Sequence, residues 1–185
     1  IPDSVAAIAD DAFIGCKALQ SFTLSPNHPY FFLADGALCR TVDNTLLFYP
    51  NARENRTYRI PDGIAAISAY AFYDCDLLES VVIPDSITQI PERAFYGCSA
   101  LASVSLPDSL TEIGTAAFSF CAALTDTRLP ASITEISAGL FSGCSSLATL
   151  EIPDSVTIIG GDAFVGCTSL TSMTIPDSVT EIGAN

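Results

Sequence analysis

Apolar and polar residues alternate only over short stretches of this chain, and the same short pattern returns at a fixed interval. In residues 147–152, for example, Leu150 and Ile152 alternate with polar neighbours, which predicts a strand of a few residues with one buried face. Pro153 follows directly, and it ends the strand because proline cannot donate to a strand ladder. The pattern therefore predicts one brief strand in each repeat.

The repeating unit reads Ile-Pro-Asp-Ser-Val-Thr-x-Ile-Gly, then Ala-Phe-x-Gly-Cys, then leucine and the next Ile-Pro. An expanded unit spans residues 24–59, and a partial unit spans residues 175–185. A fixed period of this length is typical of a solenoid, whose stacked coils share one continuous core. We therefore predict a single repeat domain over residues 1–185. Full units of 23 residues begin at Ile1, Ile60, Ile83, Leu106, Leu129 and Ile152.

The fold class predicted from this repeat is an α/β solenoid, a right-handed stack of coils with short strands, brief helical turns and one inserted β-hairpin. Gly160–Phe164 and Pro91–Phe95 fit the helical turns, since proline suits the first residue of a helix. Coils stacked about 4.8 Å apart superpose equivalent residues as ladders. The phenylalanine ladder is expected to contain Phe13, Phe72, Phe95, Phe118, Phe141 and Phe164.

One position of the unit departs from the repeat in an informative way. The glycine before the cysteine is replaced by Asp74 in one coil and by Phe120 in another. Aspartate tolerates the left-handed backbone conformation, whereas phenylalanine rarely adopts it. Either this position is not left-handed, or the coil at Phe120 is rearranged.

Six of the seven cysteines also fall in register, 23 residues apart or separated by the expanded unit. Zinc sites place their ligands a few residues apart, and parallel side chains on adjacent coils do not suit the disulfide dihedral angle. Small buried thiols that fill a narrow layer are the simplest interpretation, and disulfides or a metal are the alternatives. The residues in register are Cys16, Cys75, Cys98, Cys121, Cys144 and Cys167.

The chain carries a net charge of −14 with only seven Lys and Arg residues. This balance argues against a nucleic-acid partner, because such surfaces cluster basic side chains. No apolar run is long enough for a membrane span, so no membrane insertion is expected. A row of turn aspartates could hold calcium, but Ala131 interrupts the row, and solvated turn residues are the alternative.

The expanded unit is predicted to form a β-hairpin rich in aromatic residues, which are Tyr30, Phe31, Phe32, Phe48, Tyr49 and Tyr58. These side chains could form the hairpin's own small core against the solenoid. Alternatively, Tyr30 and Tyr49 could join the nearby arginines in a binding patch, since Tyr and Arg are favoured anchors at interfaces.

A second candidate for ligand contact is the outward column of the strands, where the repeats differ from one another. Its central position holds Arg59, Val82, Ser105, Arg128, Glu151 and Thr174. Catalysis is not predicted, because the chain has a single histidine, His28, and no recognised nucleophile or phosphate-binding motif. A thiolate pair of His28 with Cys39 in the same unit is conceivable but is not favoured. We expect no cofactor and no metal.

The repeat, with its recurring Ala-Phe-x-Gly-Cys and Ile-Pro elements, resembles the BspA-like leucine-rich repeats over essentially the whole chain. The expanded unit looks like the hairpin-bearing variant of that family. The resemblance implies a leucine-rich-repeat-like coil stack, a secreted or cell-surface protein, and in some members adhesion, with no catalytic residues to carry over. The expected function is a non-enzymatic module that binds an extracellular protein or glycan. The alternative is a structural spacer that projects another domain or associates end to end through its uncapped coils.

Overall fold

The computed structural model describes residues 1–125 and 127–185, over which the chain is a β-solenoid of about six turns with no helix. The solenoid is confirmed, whereas the α/β class and the brief helical turns are wrong. No helix with the length and hydropathy of a membrane span occurs in these residues. The strands, numbered β1 to β12 in chain order, are Phe31–Ala34, Ala37–Arg40, Thr45–Phe48, Thr57–Arg59, Ala66–Ile67, Ser80–Val82, Gln89–Ile90, Ser103–Ser105, Glu112–Ile113, Glu135–Ile136, Ile158–Ile159 and Glu181–Ile182.

The segments predicted as helical turns are β-turns, because each contains a non-glycine residue in the left-handed conformation. These residues are Arg93, with φ of 51°, and Asp162, with φ of 58°. A residue with positive φ cannot continue a right-handed helix. The N–H of Ala94 accordingly donates to the carbonyl of Pro91, three residues earlier, at 3.4 Å. Pro91 therefore begins a turn rather than a helix.

Phe120 occupies the glycine position without any rearrangement of its coil. Its φ is 59°, so this position is left-handed even though the residue is a phenylalanine. The Phe120 N–H donates to the carbonyl of Ser142 in the next coil at 2.6 Å. Gly97 and Gly143 make the equivalent bonds to Ser119 and Val165. The neighbouring coils therefore hold Phe120 in a conformation that it would rarely adopt alone.

Two columns of short parallel strands run along the solenoid, and both keep the 23-residue register. In the first column, β4, β6 and β8 form one sheet in which Tyr58, Val81 and Val104 are partners. In the second column, β7 pairs with β9, and β10, β11 and β12 form a three-stranded sheet. Like residues therefore lie beside like residues along the stack.

The core is a spine of stacked aromatic rings. The ring centroids of Phe72 and Phe95 are 4.6 Å apart and those of Phe141 and Phe164 are 6.2 Å apart, with nearly parallel planes in both pairs. Tyr49 begins this ladder, 5.4 Å from Phe72. Phe13 was predicted to belong to it but packs elsewhere, because the expanded unit supplies Tyr49 at the equivalent position.

Side chains from each coil donate hydrogen bonds to backbone carbonyls of the coil before it. This explains why a cysteine and a serine recur at two inward positions of the repeat. The thiols of Cys98 and Cys121 donate to the carbonyls of Phe72 and Phe95 at 3.0 and 3.2 Å. The Ser155 hydroxyl donates to the carbonyl of Ile133 at 2.6 Å. All seven cysteines are free. Cys75, Cys98, Cys121 and Cys144 are buried, which supports the interpretation of small buried thiols and adds a hydrogen bond to it. Cys16 was predicted to belong to the same column but is exposed, and Cys167 is half-buried.

The expanded unit forms a three-stranded antiparallel meander rather than a single hairpin. Strand β2 pairs with both β1 and β3, and β3 then pairs in parallel with β5 of the next coil. Asp35 and Gly36 make the first turn with φ of 43° and 79°, as a tight hairpin requires. Phe31, Leu38 and Leu47 form a small second core with the first coil, in which Phe13 packs against Phe22 and Phe48.

Candidate ligand-binding face

The outward column of the first strand set, which we call the strand face, lies on the surface as the sequence predicts. Its central residues follow one another at intervals of 23. Strands β4, β6 and β8 hold Arg59, Val82 and Ser105 outward, because alternate residues of a strand point to opposite sides. The equivalent residues of the later coils lie outside any strand. Val82 is half-buried and the others are exposed: Arg59, Ser105, Arg128, Glu151 and Thr174. The structure thus brings six of the eight predicted contact residues onto one surface.

Two arginines give the strand face its positive groups, and both are paired with aspartates of the adjacent turn edge. Arg59 lies 3.4 Å from the Asp62 carboxylate, and Arg128 lies 3.5 Å from that of Asp108. All four side chains are largely exposed, so these ion pairs are weak and can exchange for a ligand group. Among the described residues, five of the six arginines and the lysine contact a carboxylate, which leaves no basic patch of the kind that nucleic acids need.

Three clefts between successive coils open onto the strand face. One of 340 Å³ lies between Arg59 and Val82, and one of 280 Å³ lies between Arg128 and Glu151. The largest of the three, 490 Å³, separates residues 149–152 from residues 172–174. Two further clefts, of 480 and 600 Å³, lie along the second strand column and beside His28. The strand face is therefore grooved across its length.

The two predicted contact residues of the expanded unit have opposite positions. Tyr30 is 44% exposed at the surface of the meander. Tyr49 is only 1% exposed and packs between Tyr58, at 4.7 Å, and Phe72. Burial raises the pKa of Tyr49 to about 12, and its hydroxyl donates to the carbonyl of Asn55. Tyr49 is therefore a core residue, which corrects its assignment to a binding patch.

The arginines near Tyr49 also have structural partners. The Arg53 guanidinium lies over the Tyr49 ring, 5.6 Å from its centroid, and 3.1 Å from the Asp35 carboxylate. Arg56 pairs with Glu79 of the next coil. These contacts favour the first of the two interpretations of the expanded unit, in which its aromatic residues form a core against the solenoid.

His28 and Cys39 are both engaged by backbone groups and not by each other. The Nδ1 atom of His28 accepts the N–H of Phe31 at 3.2 Å, so its Nε2 carries the proton and donates to the carbonyl of Pro2 at 3.0 Å. The Cys39 thiol points to the carbonyl of Ala37, and burial raises its pKa to about 12. At neutral pH almost no nucleophilic thiolate forms at Cys39.

The described part of the chain contains no group of three or more His, Cys, Asp or Glu residues placed to hold a metal ion. The turn aspartates of adjacent coils, such as Asp62 and Asp108, instead pair with arginines of the strand face. The strand face therefore offers hydrogen-bonding and apolar contacts to a ligand.

Sequence reasoning missed a stripe of surface aromatic residues on the turn side of the solenoid. Tyr73 and Tyr96 stack with centroids 4.9 Å apart, Tyr70 lies beside Tyr73, and Phe120 packs edge-on against Tyr96. Phe120 is 50% exposed. The signal was present in the sequence, because Tyr73 and Tyr96 each follow a ladder phenylalanine at the 23-residue interval.

Comparisons with known proteins place the chain among bacterial repeat proteins. The family model described as the BspA type leucine rich repeat region matches six copies over residues 1–32 and 65–185. No curated protein sequence matches the chain.

Three solved structures have the same kind of fold. A leucine rich cell surface protein of Faecalibacterium prausnitzii A2-165 is 35% identical, with a TM-score of 0.88 over 94% of this chain and 46% of its own. A leucine-rich repeat protein of Eubacterium ventriosum is 25% identical, with a TM-score of 0.88 over 99% of this chain and 56% of its own. The leucine-rich repeat protein of T. pallidum is 29% identical, with a TM-score of 0.65 over 87% and 82%. The chain spans about half the length of the first two.

Proposed function

We propose that this chain, which belongs to the BspA-type leucine-rich repeat family, is a non-enzymatic binding module of a secreted or cell-surface protein. The strand face is the surface that engages the ligand, an extracellular protein or a glycan. The surface location is supported by the Faecalibacterium prausnitzii relative, which is described as a cell surface protein. The absence of a basic patch among the described residues argues against a nucleic-acid ligand.

The observation that carries this proposal is the contrast between a constant scaffold and a variable surface. Core positions repeat the same residues from coil to coil, whereas the central position of the strand face changes from Arg59 to Ser105 to Glu151. Stacked repeats form extended surfaces of this kind, on which side chains can vary without loss of the fold. Such a surface is suited to contact an extended partner.

Arg59 and Arg128 are the side chains on this face with the greatest capacity to anchor a ligand. Arginine is enriched among residues that dominate binding energies, because its planar group offers several donors and a large contact area. Their exposed pairs with Asp62 and Asp108 cost little to break.

The test is to immobilise the protein and measure its binding to a panel of extracellular-matrix proteins and to a glycan array. The double variant Arg59→Ala/Arg128→Ala is expected to weaken any binding at least tenfold. The matched control is Arg40→Ala/Arg93→Ala, which removes two arginines that lie away from the strand face. Equal losses in the two double variants would show that net charge, and not this face, determines binding.

A further inference from the structure

The strand face is a closed, hydrogen-bonded sheet in the middle of the molecule. Strands β4, β6 and β8 pair in register. The backbone hydrogen bonds of this sheet continue past the strand ends. The N–H of Ile60 donates to the carbonyl of Val82 at 3.0 Å, and the N–H of Ile83 donates to the carbonyl of Ser105 at 3.1 Å. The backbone polar groups of these coils are therefore satisfied within the protein.

Beyond β8 the ladder of this sheet is not continued among the described residues, and the largest of the three clefts lies between the last two coils. Residues 149–152 and 172–175 occupy the equivalent positions, but neither segment is a strand. Among the described residues, neither segment gives or receives a backbone hydrogen bond. Two facing rows of N–H and C=O groups are thus left without protein partners, and such rows are the usual template for a further strand.

The opening is confined to this side of the two coils. On the second strand column, Ile159 still pairs with Ile182. On the turn side, the N–H of Phe141 donates to the carbonyl of Ala163 at 2.9 Å, and the Cys167 thiol donates to that of Phe141. In the described part of the chain, the two coils therefore stay bonded on two sides and lack backbone hydrogen bonds to each other only on the strand face.

The 490 Å³ cleft lies between these two segments, and its volume falls within the range of ligand sites, roughly 300–1,000 Å³. Leu150, Ile152 and Met173 give it an apolar floor. Glu151 and Asp154 line it with carboxylates, and none of its lining residues is Lys or Arg. Arg128, one coil earlier, pairs with Asp108 instead. The cleft therefore combines unpaired backbone edges, an apolar floor and a negative rim.

We propose that this cleft takes an extended segment of a partner polypeptide as an added β-strand. The backbone of the segment pairs with residues 149–152 and 172–175, its apolar side chains face Leu150 and Met173, and a Lys or Arg lies beside Glu151. An extended peptide supplies alternating N–H and C=O groups at the spacing that both open edges need, and pockets for alternate side chains give specificity. This inference rests on the proposed function, because it names the ligand class of the strand face.

The probe is a capped five-residue peptide of alternating valine and lysine, compared with the same peptide N-methylated at all five residues. Amide hydrogen exchange is measured on the whole chain. The unmodified peptide is expected to slow exchange of the amides of residues 149–152 and 172–175 at least tenfold. The N-methylated peptide, which lacks the donors, is expected to leave exchange unchanged. Equal protection by both peptides, or no protection at millimolar peptide, overturns the proposal.

Charge reversal provides the second arm, with a matched position in the closed part of the sheet. Glu151→Lys should weaken the valine–lysine peptide at least tenfold and favour a valine–glutamate peptide instead. Ser105→Lys, at the equivalent position of β8, should change binding less than twofold. Equal effects of the two variants overturn the cleft as the site.

The two proposals fail in different ways. If a matrix protein or a glycan binds and Arg59→Ala/Arg128→Ala weakens it, but residues 149–152 remain unprotected, the strand face functions and the strand-addition site is wrong. If the peptide protects the cleft while the double variant binds every ligand normally, the cleft is the site and the arginine anchors are wrong.

Discussion

The middle coils, residues 60–124, and the last coils, residues 147–185, contain the same repeat but differ in how closely they stack. Phenylalanine centroids are 4.6 Å apart at Phe72–Phe95 and 6.2 Å apart at Phe141–Phe164. The strand face is hydrogen-bonded in the middle coils and open between the last two. Identical ladders therefore do not guarantee identical packing.

This difference shows which contacts hold adjacent coils together. The turn-side hydrogen bonds, such as Phe95 N–H to Ala117 and Phe141 N–H to Ala163, are 2.9 Å long in both regions. The cysteine thiols also donate in both. The backbone ladder of the strand face, in contrast, is present among the described residues only in the middle coils. The turns and the thiols hold the coils together in both regions, so the ladder can stop beyond β8 without loss of the fold.

The largest expected effect is on the aromatic ladder. Phe118→Ala should lower the free energy of unfolding by about 3–5 kcal/mol, because Phe118 is fully buried and its removal leaves a cavity in a closed stack. Phe164→Ala, the matched change in the last coils, should cost clearly less. Urea denaturation followed by circular dichroism measures both. Equal costs would show that the last coils are packed as tightly as the middle ones.

Alkaline pH should weaken the buried thiol column next. Burial raises the pKa of Cys144 from 9.0 to about 12, so the unfolded chain releases this proton at a lower pH than the folded chain does. The stabilisation is complete below pH 9 and is lost as the pH rises towards 12. At pH 11 the loss from Cys144 is about 2–3 kcal/mol. Burial of Tyr49, whose pKa is raised from 10.0 to about 12, adds to this loss above pH 10.

Denaturant titrations at pH 8, 9, 10 and 11 measure this slope. The control variant Cys144→Ala should flatten it by about 1.4 kcal/mol per pH unit above pH 9. A slope that Cys144→Ala does not change would refute a buried, protonated thiol at this position.

Thr127 gives a test at the junction between the closed and open parts of the strand face. Its side chain takes the inward position held by Val104 one coil earlier and by Leu150 one coil later. Its buried hydroxyl has no hydrogen-bond partner among the described residues, which costs about 1–3 kcal/mol. Thr127→Val should therefore raise stability by about 1–2 kcal/mol in thermal denaturation. Thr125→Val, at an exposed position, should not change it, and a loss at Thr127 would indicate an unseen partner.

Backbone strain at Phe120 gives a smaller gain. Phe120→Gly should raise stability by about 1 kcal/mol, because glycine adopts φ of 59° without the steric cost that phenylalanine carries. The reverse control is Gly15→Ala. The φ of Gly15 is 77° and no atom lies within 4 Å of the added Cβ, so this variant should lose about 1 kcal/mol of stability from backbone strain alone. If Phe120→Gly is destabilising, the contact of Phe120 with Tyr96 outweighs the strain.

The sequence was enough to predict what depends on the period. The 23-residue interval placed the coils, the phenylalanine and cysteine columns and the outward residues from Arg59 to Thr174, because stacking puts equivalent residues side by side. It did not predict the turns, since Tyr70 and Arg93 are left-handed without being glycine, and only their neighbours on adjacent coils impose that conformation. The burial of Tyr49 was also missed. Tyr49 joins the aromatic ladder only because of the way in which the expanded unit folds against the next coil.

The open cleft could not be predicted either. Residues 149–152 and 172–175 have the same kind of alternation as the paired strands Ser80–Val82 and Ser103–Ser105. Whether two adjacent coils form backbone hydrogen bonds on one side depends on how all of the coils stack. The repeats have nearly identical sequences, so no local residue indicates where this pairing is lost. Differences of this kind are visible only in the coordinates.

The smallest expected effect is on the strand face itself, where binding and stability should separate. Arg128→Ala should change the free energy of unfolding by less than about 0.5 kcal/mol, since its pair with Asp108 is 3.5 Å long and both side chains are about 80% exposed, at 78% and 83%. Arg53→Ala should cost more, because Arg53 is 19% exposed and contacts both Asp35 and the Tyr49 ring. Thermal denaturation of both variants tests this. A residue that contributes little to stability and lies outward beside a cleft can differ between repeats to suit a partner. A large loss of stability in Arg128→Ala would instead indicate that Arg128 has a structural role and is not a ligand-binding residue.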